Sequence, residues 1–176
     1  MSTAWLVEPL SGEKHRRNDF VCEEPELTAF LRNRALPEME NRASACFVLV
    51  PKDDASRIVG FYTLSATTIR LEKLPPGLTT HLPKYPHLPA TLLGRLARDL
   101  NFRGAGLGDL LLLSACQRAL GSTTSVGSVA MVTDPKNPQA EVFYQKHDFR
   151  RLVGGRRMFL PMKDIAKKFD QGDLAL

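Results

Sequence analysis

The sequence predicts an α/β fold with a mixed sheet in one domain spanning residues 1–176. Two observations carry this. Short β-rich segments outnumber helical ones, and a strand, a glycine-rich loop, a helix and a second strand follow one another in the middle of the chain. With 176 residues, 43% hydrophobic and 24% charged, the chain has the composition of a globular protein. It is long enough to bury roughly 70% of its unfolded surface without staples.

The first firm element is "CEEPELTAFLRNRAL". Pro25 suits a first helical turn, and Leu27, Phe30, Leu31 and Arg34 keep the i, i+3, i+4, i+7 rhythm of a helix. "ACFVLV" (45–50) reads as a strand and "PKDDAS" as its turn, while "RIVGFYTLSATTI" (57–69) returns as the hairpin partner. From Leu71 to Pro89 the chain holds five of its twelve prolines, which predicts an irregular connection long enough to have a functional role. "ATLLGRLARDL" (90–100) reads as a buried strand running into the glycine loop, with a helix from Leu107 past Leu120. "VGSVAMVTD" (126–134) is the next strand, Pro138 opens a short helix, and "FRRLV" and "RMFLPM" are two closing strands.

Several classes are disfavoured. The longest apolar runs are far short of a membrane span, and residues 1–14 do not have the pattern of a signal peptide. Three scattered cysteines and four histidines lack disulfide or metal spacing. A reduced, cytoplasmic protein without a metal is expected. The net charge of +5 is concentrated: between Arg150 and Lys168 seven basic side chains face Asp164 alone, so the rest of the chain is slightly acidic. Such a block suits a polyanion or a solvated face.

In "NFRGAGLGDLLL" a strand runs through a glycine turn into a helix N-terminus. Free N–H groups and the positive helix end there favour an anion. A P-loop needs Lys followed by Ser or Thr after its last glycine, whereas Asp109 and Leu110 follow Gly108. A dinucleotide fingerprint needs G-x-G-x-x-G and an acid about 20 residues on. Here the spacing is G-x-G-x-G, and no acid lies near position 124. From the loop alone, a structural turn stays open.

"RGAGLG" resembles the pyrophosphate-binding motif Arg/Gln-x-x-Gly-x-Gly/Ala of the GNAT superfamily of acetyl-CoA-dependent N-acetyltransferases, matching at Arg103, Gly106 and Gly108. "NPQAEVFYQKHDF" resembles the family's N-x-x-A-x-x-F-Y-x-K-x-G-F segment at Asn137, Ala140, Phe143, Tyr144, Lys146 and Phe149, with Asp148 in place of a glycine. "FVCEEPELTAFLRNRA", "VGFYTLSA", "LPKYPHLPATLLGRLARD" and "MFLPM" extend the likeness to the GNAT-type toxins of bacterial toxin–antitoxin modules. The resemblance implies the GNAT fold, a mostly antiparallel sheet with splayed central strands flanked by helices. It also implies acetylation of the α-amine of aminoacyl-tRNA, a ribbon-helix-helix antitoxin partner, and a homodimer.

By the same resemblance, Leu96, Ala97 and Arg98 line the pantetheine arm through their backbone. Arg103, Gly104, Ala105, Gly106, Leu107 and Gly108 hold the pyrophosphate, and Asn137 touches the cofactor. Tyr144 is the expected catalytic acid, because a phenol of pKa about 10 can protonate a departing thiolate held within hydrogen-bond reach. No Asp or Glu lies between Thr91 and Arg98 to serve as base, and Asp99 is expected to turn into the loop. That absence favours an α-amine acceptor, roughly 10–17% neutral at pH 7 against roughly 0.04% for a lysine. Arg95, Arg156 and Arg157 are candidate contacts to tRNA phosphates, with Arg32, Arg34 and Lys84 behind them. Two other readings stay open: acetylation of a small amine or a protein α-amine, and a non-catalytic binding protein with this fold.

Overall fold

A computed structural model describes residues 4–170. Seven strands form one sheet: β1 (Trp5–Pro9), β2 (Ala45–Pro51), β3 (Gly60–Arg70), β4 (His87–Arg98), β5 (Ala130–Thr133), β6 (Arg150–Arg151) and β7 (Met158–Pro161). The order across it is β1-β2-β3-β4-β5-β7-β6. The β1–β2, β2–β3, β5–β7 and β6–β7 pairs are antiparallel, while β4 and β5 are parallel. The helices are α1 (Pro25–Asn33), α2 (Ala35–Glu40), α3 (Leu107–Ser122), α4 (Pro138–Lys146) and α5 (Met162–Asp170). The expected mixed α/β architecture is the one observed.

The chain divides into two compact units, residues 4–65 with 94–115 and residues 66–93 with 116–170. In the first, the apolar stripe of α1 (Leu27, Phe30, Leu31) meets Val48, Val50, Ile58 and Phe61 from the hairpin. Phe61 is the centre of that core: Phe30 stacks on it at 6.1 Å and Phe20 meets it edge-on at 5.5 Å. In the second, Ile69, Leu88, Ala130, Val132, Leu152 and Phe159 form a separate cluster. The proline-rich connection is ordered there. Its two 3₁₀ turns, Leu71–Lys73 and Pro76–Leu78, turn Leu71, Leu74 and Leu78 onto this cluster.

Element boundaries moved where propensity met geometry. The expected first helix breaks at Arg34, and α2 starts immediately after it. The strand expected over 126–134 pairs only from Ala130, and "FRRLV" contributes two residues. The strand β1 and helix α5 were not anticipated. Helix α5 follows β7 without a gap, with Met162 and Ile165 buried one turn apart and Lys163 and Lys167 exposed.

Gly60 lies where β3 passes under α3. A Cβ there would stand 2.7 Å from Leu111 Cδ1 and 3.1 Å from the Ala97 carbonyl oxygen. The leucine tip can shift, but the carbonyl is backbone. Gly60→Ala is therefore expected to destabilise by about 1–2 kcal/mol, overpacking outweighing the smaller gain from losing a strand glycine. Urea unfolding should show a lower midpoint with an unchanged slope.

Candidate active site

In the first unit the site begins at the end of β4. Leu96, Ala97 and Arg98 are its last three residues and lie beyond Leu93, the last β4 residue paired with β5. Asp99 then starts a 3₁₀ turn, Leu100–Phe102. As expected, Asp99 turns into the loop, and its side chain is fully buried there. It accepts hydrogen bonds from the amides of Asn101 (2.9 Å) and Val21 (3.1 Å), and Arg57 stands 3.6 Å away. A buried carboxylate needs these partners, and in meeting that need it fixes where the chain leaves the strand.

Gly104 and Gly106 adopt φ of +78° and +70°, a conformation costly for any residue with a Cβ. Nothing lies within 4 Å of where those Cβ atoms would be. The glycines are thus required by backbone conformation, and the space over the loop stays clear. The buried Leu107 begins α3, sixteen residues long, so the first amides of a full helix follow the turn. Open glycines, a helix start and an exposed Arg103 fit a pyrophosphate.

One participant was not read from the sequence. Glu23 pairs with Arg103 at 2.8 Å and stands 3.7 Å from Arg98, so a carboxylate already engages the loop's cations. The Arg98 Nε is buried without a hydrogen-bond partner. Within "CEEP", no spacing rule marks Glu23 as facing residues 75 and 80 positions away. Arg95 is held differently: its guanidinium lies 3.8 Å from the Phe30 ring centroid and 3.8 Å from Glu38.

The second unit carries Tyr144 on α4, 7% exposed and framed by Phe143 and Phe149 with ring centroids at 5.2 and 5.3 Å. Burial pushes its phenol above the ordinary value. Asn137 caps α4, its Oδ1 accepting from the Ala140 amide at 2.8 Å. Asp148, at the family's glycine position, takes the glycine conformation with φ +70°. The turn survives because Lys168 pairs with Asp148 and also donates to the His147 carbonyl. Arg157 makes a two-point contact with Asp134 at 2.8 and 2.9 Å, and Arg156 is exposed. The three cysteines are buried, and burial raises the thiols of Cys46 and Cys116 to about 12. Among the described residues there is no metal-binding cluster, and no helix is long and apolar enough to cross a membrane.

No family model matches the chain. It is 35% identical over 130 residues to a tRNA-acetylating toxin of Mycobacterium tuberculosis (strain ATCC 25618 / H37Rv), covering 74% of this chain and 75% of that protein. It is 26% identical over 168 residues to a probable toxin TacT of Sinorhizobium fredii (strain NBRC 101917 / NGR234), covering 91% and 92%. Among solved structures it superposes on AtaT complexed with acetyl-methionyl-tRNAfMet with a TM-score of 0.87 and 25% identity, covering 94% and 99%.

A phosphate seated at this loop would compete with Glu23 for Arg103. An exposed ion pair is worth about 0.2–1 kcal/mol, so Glu23→Gln should tighten coenzyme A binding by up to about fivefold. Calorimetry at low salt should show the gain, and it should shrink as salt rises.

Proposed function

The chain belongs to the family of tRNA-acetylating toxins, and from that premise we propose that it transfers the acetyl group of acetyl-CoA to the α-amine of an aminoacyl-tRNA. In this reading the amides of residues 103–108 and the Arg103 side chain hold the pyrophosphate, and the backbone of Leu96, Ala97 and Arg98 receives the pantetheine arm. The amine attacks the thioester carbonyl, the C–S bond breaks, and the sulfur leaves with the electron pair. Tyr144 supplies the proton that sulfur takes.

The observation that carries the chemistry is the state of Tyr144. Its phenol is buried between aromatic rings, and burial raises its pKa. An acid must be protonated to act, so a raised pKa keeps it loaded through the range in which the α-amine loses its proton. The acceptor follows from the relatives: one is named for acetylating tRNA, and another is complexed with an acetyl-methionyl-tRNA. With no carboxylate on β4 between Thr91 and Arg98, an amine that is partly neutral by itself is the better substrate.

Among the basic residues, the exposed Arg156 is the best placed to meet a tRNA phosphate. Arg157 and Arg95 would serve by exchanging Asp134, and Phe30 with Glu38, for RNA. Family membership also supports action in the cytoplasm, an antitoxin partner with a ribbon-helix-helix domain, and assembly as a dimer.

Incubation with labelled acetyl-CoA and either charged or deacylated tRNA tests the proposal. Label should appear on charged tRNA alone, and Tyr144→Phe should lower the rate by about 10²–10⁴. Label on a polyamine or a protein instead would establish a different acceptor, and failure to bind or turn over acetyl-CoA would leave a binding protein. The rate should also rise with pH as the α-amine loses its proton, then level off. No decline due to Tyr144 should set in below about pH 10, the ordinary phenol value that burial raises.

A further inference from the structure

Phe61, Phe30 and Arg95 form a column that begins in the core of the first unit and ends at its surface. The Phe30 ring stacks on Phe61 with the planes 16° apart, and the Arg95 guanidinium carbon lies over Phe30, 3.8 Å from the ring centroid. Phe61 and Phe30 are buried, whereas the Arg95 side chain is 26% exposed. A guanidinium is planar and weakly hydrated, and at this distance it lies along the aromatic face. With one face on Phe30, solvent reaches the group from the other side.

The charge of Arg95 is already shared. Glu38 stands 3.8 Å from it and also accepts from Arg34 at 2.9 Å and from the Ser44 hydroxyl at 3.0 Å. To become a phosphate contact, Arg95 would have to give up Phe30 and Glu38. A flat ligand that stacks on it leaves both contacts in place. Unpaired nucleobases stack on arginine planes in this way, and every base has a π-face to offer. The position along β4 points to the same ligand. Arg95 immediately precedes Leu96–Arg98, and Ala97 packs in the same core cluster as Phe30, so Arg95 and Ala97 share the α1 face of the strand. With the pyrophosphate at residues 103–108 and the pantetheine arm along Leu96–Arg98, Arg95 stands at the far end of the arm, where the acetyl group is carried.

We propose that Arg95, held on Phe30, is the platform on which the unpaired 3′-terminal base of the acceptor tRNA stacks. The proposal rests on aminoacyl-tRNA being the acceptor. The ribose that carries the aminoacyl ester is joined to that base by one glycosidic bond, so seating the base at Arg95 brings the α-amine toward the thioester while the duplex stem stays outside. Arg34 lies 5.5 Å from the same ring and is more exposed. Two arginines share the one Glu38 carboxylate, which leaves a positive charge for the adjoining phosphate. Arg95 thus positions the acceptor by its flat face, and its charge contributes little to the contact.

The test is a binding cycle between protein and RNA. Wild type, Arg95→Lys and Arg95→Ala are titrated with deacylated tRNA and with the same tRNA made abasic at its 3′-terminal nucleotide. Arg95→Lys keeps the charge and loses the plane. It should bind intact tRNA about 5- to 30-fold more weakly than wild type, the range for a stacked cation or base. Its salt dependence should match that of wild type, and the abasic tRNA should bind wild type and Arg95→Lys equally. An equal loss on both RNAs would overturn the platform, as would recovery of wild-type affinity in Arg95→Lys where Arg95→Ala is weak, since both mark a phosphate contact. Absence of tRNA binding by wild type would overturn it too. Transfer of label from acetyl-CoA by wild type separates the two readings. Label on charged tRNA without the base-dependent loss removes the platform alone, whereas no label on charged tRNA removes the acceptor.

Discussion

The constraint on which the rest depends is the parallel pairing of β4 with β5, and its end at Leu93 and Thr133. Parallel strands cannot be joined by a tight turn; the chain must cross over, most often through a helix. Between β4 and β5 that crossover is the buried cap at Asp99, the positive-φ glycines Gly104 and Gly106, and the sixteen residues of α3. The glycine loop is therefore the first stretch of an obligatory connection. Asp99 holds its start, since a buried carboxylate bonded to the Val21 and Asn101 amides leaves the backbone little freedom there.

At the same rung the Thr133 hydroxyl donates to the Leu93 carbonyl. Phe143 and Phe149 pack against the Tyr144 ring of α4. Much of the basic C-terminal block is already engaged: Arg151 with Glu141, Arg157 with Asp134 and Lys168 with Asp148. Its formal charge thus overstates what a polyanion would meet.

The sequence revealed the parts whose signals are local. Glycines between a strand and a helix, an apolar stripe at helical spacing, and an Asn-Pro helix start each depend on a few adjacent residues, and each is seen in the structure. Helix α5 was legible but hidden: Met162, Ile165, Ala166 and Phe169 keep helical spacing, yet the lysines between them read as a charge block. Strand β1, five residues closing in Pro9, is too short to show a period. Glu23, Thr133 and the packing of Arg95 on Phe30 were not legible, because each depends on which distant residue the fold brings near. Asp148 shows the converse. The departure from glycine was visible, but the lysine that supports it lies twenty residues on, past two strands and into α5.

A crystal structure with bound coenzyme A tests the account's central claim most directly. The account predicts the phosphates against the amides of residues 103–108, the pantetheine arm along Leu96–Arg98, and the sulfur within hydrogen-bond reach of the Tyr144 hydroxyl. A cofactor bound elsewhere, or a sulfur far from the Tyr144 hydroxyl, would contradict it.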